Sequence, residues 1–334
     1  MAQRPLVLDS DPGLDDAVAL HYLLARPEWQ LIAFTAVGGN VPVDITFRNA
    51  RALAAAYGID RDVPVYRGAG RPISRVAIGS DFHGPTGLGT RILPDSTAPE
   101  PGTGAVLELL RLSRVHEGEL TVVATGPLTN IAVALILDPG FARRVARLVF
   151  MGGAARVPGN VTTVAEFNVW ADPDAADIVV ASGVPYTMVG LDVTHQAPLT
   201  AADVARIEEA GTPHAELSAA FMRGYLDSYL TFTGRDHAFL HDPLAIGVAS
   251  EDTFATVETG TVVVGTDLGL HRGETVFIPD SAAQSPILPE AVRNRASGKG
   301  GVAVGAGTEN FTADFVQRLR EPLPQTESAI SERS

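Results

Sequence analysis

Four carboxylates fall within eight residues near the start of the chain, in the segment Asp9-Ser10-Asp11-Pro12-Gly13-Leu14-Asp15-Asp16. Carboxylates this crowded repel one another unless something positive stands among them, and a divalent cation held by hard oxygen donors is the simplest way to supply it. The chain has no cysteine, so any metal must be held by oxygen or imidazole, and neither disulfides nor thiolate chemistry contribute. Further polar residues follow apolar runs along the sequence: Asn40, Thr125, Asn160, Glu166, Asn168 and Asp192. One such residue after a strand is ordinarily a turn former; their recurrence is what points to a site.

These residues need elements to hold them. Leu6-Val7-Leu8 reads as a buried strand, Pro12-Gly13 as a tight turn, and Asp15-Asp16 as the first turn of a helix, where the helix dipole favours anions. The alternation continues with strands over 30–37, 63–66, 120–124, 146–151 and 186–189. Helices are expected over 44–57, 104–115, 128–137 and 174–181. Strands alternating with helices imply an α/β fold with an open, mostly parallel sheet flanked by helices, and ligands bind beyond the carboxyl ends of such strands. Past residue 200 helices dominate (201–209, 214–232, 243–249), so a helical cap is expected near 200–240. An antiparallel edge is expected from 256–264 and 275–278, and a last helix over 310–319. Residues 67–103 are rich in Gly and Pro and too long for filler, which marks a functional loop; it contains Asp81-Phe82-His83. A single domain over 1–320 with a mobile tail, 321–334, is the expected organisation.

Composition narrows the function. The 334 residues are 46% hydrophobic and 19% charged, an ordinary globular balance, and the net charge of −14 with no basic run argues against a nucleic-acid partner. No apolar run reaches the roughly 20 residues a membrane span needs. The N-terminus has no signal-like segment, so a cytoplasmic location is expected.

The acidic turn admits several readings. As an EF-hand loop counted from Asp9 it fails, because Leu20 stands where the closing Glu belongs. An aspartate-based phosphohydrolase also opens with a strand and Asp-x-Asp. That reading expects a hydroxyl residue after the pair and a lysine partner, and Lys299 is the sole lysine here. The third kind of site is a hard-cation centre that works on a bound hydroxyl compound. A non-catalytic protein that only binds such a compound, a nucleoside or ribose, is a further reading, and it has no need of a general base such as Asp11.

The segment Asp9–Asp16 resembles the N-terminal signature of the nucleoside hydrolases, the inosine-uridine preferring family. The likeness extends in order through Val37-Gly-Gly-Asn40, Thr125-Gly-Pro-Leu-Thr-Asn130, Met151-Gly-Gly153, Glu166-Phe-Asn168 and His241-Asp-Pro243. The resemblance implies hydrolysis of the N-glycosidic bond of ribonucleosides and a bound Ca2+ ion. It implies as ligands Asp11, Asp16, the Thr125 carbonyl and Asp242. Ribose hydroxyls would go to Asp15, Asn40, Asn160, Glu166 and Asn168, with Met151 nearby. Asp11 would take the proton of the attacking water, and Asp9 would support the turn. A protonated His241, beside Asp242, would serve the leaving base, because an imidazolium neutralises the charge developing there.

His83, in the long loop, is a further candidate for contact with base or ribose, and Tyr225 and Tyr229, four apart on one helix face, for contact with the base. The other histidines read as exposed or capping residues, namely His21, His116, His214, His237 and His271. Trp29 and Trp170 do not fall in the loops where purine-preferring relatives are expected to grip the base, so an inosine-uridine or pyrimidine preference is expected. The family's habit implies a homodimer or homotetramer.

Overall fold

The structure is a computed structural model that describes residues 3–283, 290, 300–305 and 307–323. Among the described residues eleven strands follow one another along the chain. Nine form one sheet: β1 (Arg4–Ser10), β2 (Trp29–Ala36), β3 (Val65–Arg67), β4 (Leu120–Ala124), β5 (Val145–Met151), β6 (Tyr186–Val189), β9 (Thr256–Val264), β10 (Thr275–Pro279) and β11 (Gly300–Gly305). The other two, β7 (Pro198–Leu199) and β8 (Ala238–Phe239), pair as a small antiparallel ribbon. The sheet order is β10-β9-β11-β6-β5-β4-β1-β2-β3, parallel from β11 through β3, with β9 and β10 antiparallel at the edge. This is the single-domain α/β architecture, with a mostly parallel sheet, that the alternating pattern implies.

The helices cover both faces. On one side α1 (Leu14–Leu24), α2 (Val43–Ala56), α9 (Ala201–Glu208), α10 (Pro213–Thr233), α11 (His241–Ser250) and the C-terminal helix Thr308–Arg320 enclose one apolar core. On the other, α3 (Ala105–Val115), α4 (Thr129–Leu137), α5 (Phe141–Arg144) and α7 (Pro173–Ala181) enclose a second. Two short helices, α6 (Phe167–Ala171) and α8 (Leu191–Thr194), sit at strand ends. The central strands are buried on both faces, β4 along its whole length, which is why they read as continuous apolar runs rather than alternating ones. The expected cap is α9 and α10; α10 packs along α1, the helix that carries Asp15 and Asp16.

Two expectations change. Gly300–Gly305 is a strand that the sequence pattern does not announce, inserted between β6 and β9, so the antiparallel edge joins the parallel sheet through β11. Its glycines have a packing reason: a Cβ on Gly300 would come within 2.2 Å of the Tyr186 ring. His21 is fully buried rather than exposed or capping, with Nδ1 2.7 Å from Ser218 Oγ and its ring near Tyr57. Most of the expected tail lies outside the described residues. No described helix is long and apolar enough to cross a membrane.

Candidate active site

Strand order reverses between β1 and β4, and this switch point is where an open α/β sheet leaves a crevice. Asp11 follows β1 and Thr125 follows β4, so the two neighbours deliver the acidic turn and the Thr-Gly-Pro turn to one place. Asp11 is enclosed by backbone. A Cβ on Gly39 would lie 2.0 Å from its carboxylate, and one on Gly126 2.6 Å, so both turns need glycine to approach it. The Asn40 amide N–H donates to Asp11 Oδ2 at 2.7 Å, and the Asn40 side chain donates to the Asp11 carbonyl at 3.1 Å.

Asp16 is held just as tightly. It accepts from the Ser10 hydroxyl (2.5 Å), the Gly13 N–H (2.8 Å) and the Thr125 hydroxyl (2.7 Å). Asp15, on the same helical turn, accepts from Tyr225 at 3.0 Å and lies 3.8 Å from His83 Nδ1. Asp242, in the first turn of α11, completes the cluster: Asp15, Asp16 and Asp242 each bring an oxygen within 4.8 Å of the others. The tightest trio thus contains Asp15, with Asp11 standing against it. Asp9 lies behind the turn, accepting from Thr35 (2.5 Å) and Asn130 (2.7 Å), which is the supporting place expected of it.

The electrostatics of this cluster are unfavourable as it stands. Burial, and then the neighbouring carboxylates, push Asp11 and Asp242 well above the usual carboxylate range; burial pushes Asp15 to about 6. Asp11 Oδ1 is buried with no hydrogen-bond partner among the described residues. Hard oxygen donors, mutual repulsion and an orphaned carboxylate oxygen together fit a cation centre, and an acidic trio of this kind is able to bind a metal ion.

Across the crevice, Asn168 Nδ2 lies 2.8 Å from the Thr125 carbonyl oxygen, 3.2 Å from the Met151 carbonyl oxygen and 3.4 Å from Met151 Sδ, joining three strand-end loops through one amide. Glu166 caps α6, accepting from the Asn168 N–H (2.9 Å) and the Val169 N–H (3.2 Å), and also accepts from Gly153 (2.9 Å). Burial raises it to about 7. Asn160 is exposed and accepts from the Phe167 N–H at 2.9 Å.

The remaining wall is aromatic. His83 accepts the Leu14 N–H at Nδ1 (3.1 Å), stacks on Tyr225, and is lowered to about 4 by burial. His241 Nε2 is 2.8 Å from the Tyr229 hydroxyl and Nδ1 2.8 Å from the Thr194 hydroxyl. Burial, then His195 and His83, lower it to about 3, so the resting ring is neutral. The imidazolium expected of His241 is not what this environment holds. Of the residues expected at the site, all but Asp16 line one cavity of about 550 Å³; Asp16 brings an oxygen within 4.8 Å of Asp15 and Asp242, which do line it. The cavity also takes in Phe82, His195, Phe232, Arg235 and Phe239, which the sequence does not single out as a site. Phe82 is edge-on to Tyr229 at 5.1 Å, and Arg235 lies over Phe239. The tryptophans are elsewhere: Trp29 lies beneath Arg4 and Trp170 against Arg272.

The family model described as inosine-uridine preferring nucleoside hydrolase matches residues 6–309. The chain belongs to this family. It is a nucleoside hydrolase, an enzyme that acts on N-glycosyl bonds, and members of the family are generally metal-dependent. Its similar relatives include the pyrimidine-specific ribonucleoside hydrolase RihA of Salmonella typhimurium, 42% identical over 76% of this chain and 82% of that one. The enzyme of the same name from Shewanella woodyi is 39% identical over 82% and 88%. Among solved structures, a plant nucleoside hydrolase superposes with a TM-score of 0.89 at 32% identity, covering 96% of this chain and all of that one. A purine-preferring ribonucleoside hydrolase from Gardnerella vaginalis does so with 0.86 at 33% identity, over 95% and 98%.

Proposed function

We propose that this nucleoside hydrolase cleaves pyrimidine ribonucleosides to ribose and free base at a calcium centre. Asp11, Asp16, the Thr125 carbonyl and Asp242 would hold the ion, with Asp15 at its edge. The observation that carries the reading is the buried carboxylate cluster with its orphaned Asp11 oxygen, placed across the crevice from Asn168 and Glu166. When bound, calcium would neutralise the cluster and polarise a water and the ribose hydroxyls beside it.

The chain's own groups do the rest. Asp15, Asn40, Asn160, Glu166 and Asn168 bind the ribose hydroxyls, with Met151 against the sugar, and surround the oxocarbenium-like state with negative charge. Asp11, kept ionised by the centre, accepts the proton of the attacking water. On the opposite wall the Tyr229 hydroxyl, 2.8 Å from His241, is placed to pass a proton to the leaving base. The neutral His241 ring, held by Thr194 at its other nitrogen, donates from Nε2 to the Tyr229 oxygen and keeps the phenol O–H turned to the base; solvent water returns the proton to Tyr229 after the base has left. His83 and Tyr225 pack against the base or its sugar, with Phe82 beside them.

The pyrimidine preference is supported by relatives of that description at about 40% identity. It is supported equally by an aromatic wall made without tryptophan. A homodimeric or homotetrameric, cytoplasmic enzyme completes the reading. The test is a ribonucleoside panel read as free ribose, with and without a chelator. Uridine and cytidine should be hydrolysed faster than inosine, and calcium should restore chelated enzyme. Faster inosine turnover would overturn the preference, and chelator-resistant activity the centre.

A further inference from the structure

Four consecutive backbone amides in the loop after β5 are each taken by a side chain rather than by the backbone. Gly153 donates to Glu166 (2.9 Å), Ala154 to Thr275 Oγ1 (2.8 Å), Ala155 to Asp192 Oδ2 (2.8 Å) and Arg156 to Asp192 Oδ1 (2.8 Å). Asp192 is buried, only 6% exposed, and spends both oxygens on this pair. Its segment is tied back to the same loop, since Leu191 donates to the Gly153 carbonyl at 2.9 Å. Two residues on, Thr194 holds His241 Nδ1 at 2.8 Å. The loop that starts at 153 ends at Glu166 and carries Asn160.

We infer that Asp192 is a positioning residue that clamps the 153–166 loop in its ribose-binding geometry. This inference rests on the proposed ribose roles of Asn160 and Glu166. Asp192 touches neither the sugar nor the reacting atoms; it acts through the backbone that presents them. A backbone amide seeks a partner wherever one is near, so a carboxylate that satisfies two neighbours at once fixes both peptide planes. Without it, Ala155 and Arg156 lose their acceptors, and the loop occupies its binding geometry only part of the time. Apparent affinity for every ribosyl substrate falls by that fraction, whereas chemistry in the bound state is preserved.

The experiment compares Asp192→Ala, Asp192→Asn and Glu166→Gln in calcium-saturated enzyme, with uridine and p-nitrophenyl riboside as substrates. Asp192→Ala should raise KM about tenfold on both, and Asp192→Asn, which keeps one acceptor, about threefold, with kcat within about threefold throughout. Amide exchange across 153–166 should rise in the same order. An unchanged KM in Asp192→Ala, or a fall in kcat with KM constant, overturns the clamp. Should the alanine variant not fold, Asp192→Asn decides: unchanged KM and unchanged exchange overturn it. If Glu166→Gln raises KM while the Asp192 variants do not, the clamp alone fails. If Glu166→Gln leaves KM unchanged, the ribose assignment itself fails.

Discussion

On the acidic side of the cavity, Asp16, Asn168 and Glu166 each have two or more hydrogen bonds to backbone or buried hydroxyls, Asp11 accepts from the Asn40 N–H, and the 153–166 loop beside them is tied at four successive amides. The opposite wall is made by Phe82 and His83 from the 67–103 connection, by Tyr225 and Tyr229 from α10, and by Phe239 from a two-residue strand, held mostly by ring packing. Polar networks fix atoms to within a hydrogen bond; packed rings fix a surface and tolerate exchange. The reacting sugar would then meet the rigid wall and the variable base the adaptable one.

Several measurements bear on that division. The largest effect is expected at Asp11. Asp11→Ala should lower kcat/KM for uridine by about 10⁴-fold with the fold intact by circular dichroism. A loss below tenfold would remove Asp11 from the chemistry. Next is His241→Ala, which should slow uridine by about 100-fold and p-nitrophenyl riboside, whose leaving group needs no proton, by less than about threefold. Equal losses on the two substrates would place His241 in packing only.

Phe82→Ala should move the uridine-to-inosine ratio of kcat/KM by about tenfold, with ribose inhibition unchanged. A parallel change in ribose affinity would mean the two walls are not separable. The smallest effect is thermal. Asp15 is raised to about 6, so below that pH protons occupy the cluster, and above it ionised, mutually repelling carboxylates weaken the fold unless a cation is present. The rise in Tm on adding calcium should therefore be larger near about pH 7.5 than near about pH 5, by a few degrees. A shift independent of pH would detach these carboxylates from the ion.

The same division governs what the sequence reveals. β4, β6 and β9 have the boundaries their apolar runs predict, and the acidic-wall candidates converge because strand ends in a parallel sheet share one edge. Phe82, His195, Arg235 and Phe239 reach the cavity from a loop and from chain reversals without periodicity, so no spacing marks them; Phe232, near the end of α10, continues the i, i+4, i+7 face of Tyr225 and Tyr229 and could have been found from that spacing. Gly300–Gly305 is illegible for another reason: its glycines answer to the Tyr186 ring, a contact across strands far apart in sequence. A cationic His241 is what the charge on a leaving base calls for; burial and two nearby imidazoles favour the neutral ring, and neither is legible in the sequence around it.

Gly39 and Gly126 press on the Asp11 carboxylate from both sides, closer than any Cβ permits. For an engineer seeking variants, these two uncharged positions should be as intolerant as the aspartates themselves. Libraries aimed at new nucleobases belong on 82 and 232–239, where the surroundings are built to absorb change.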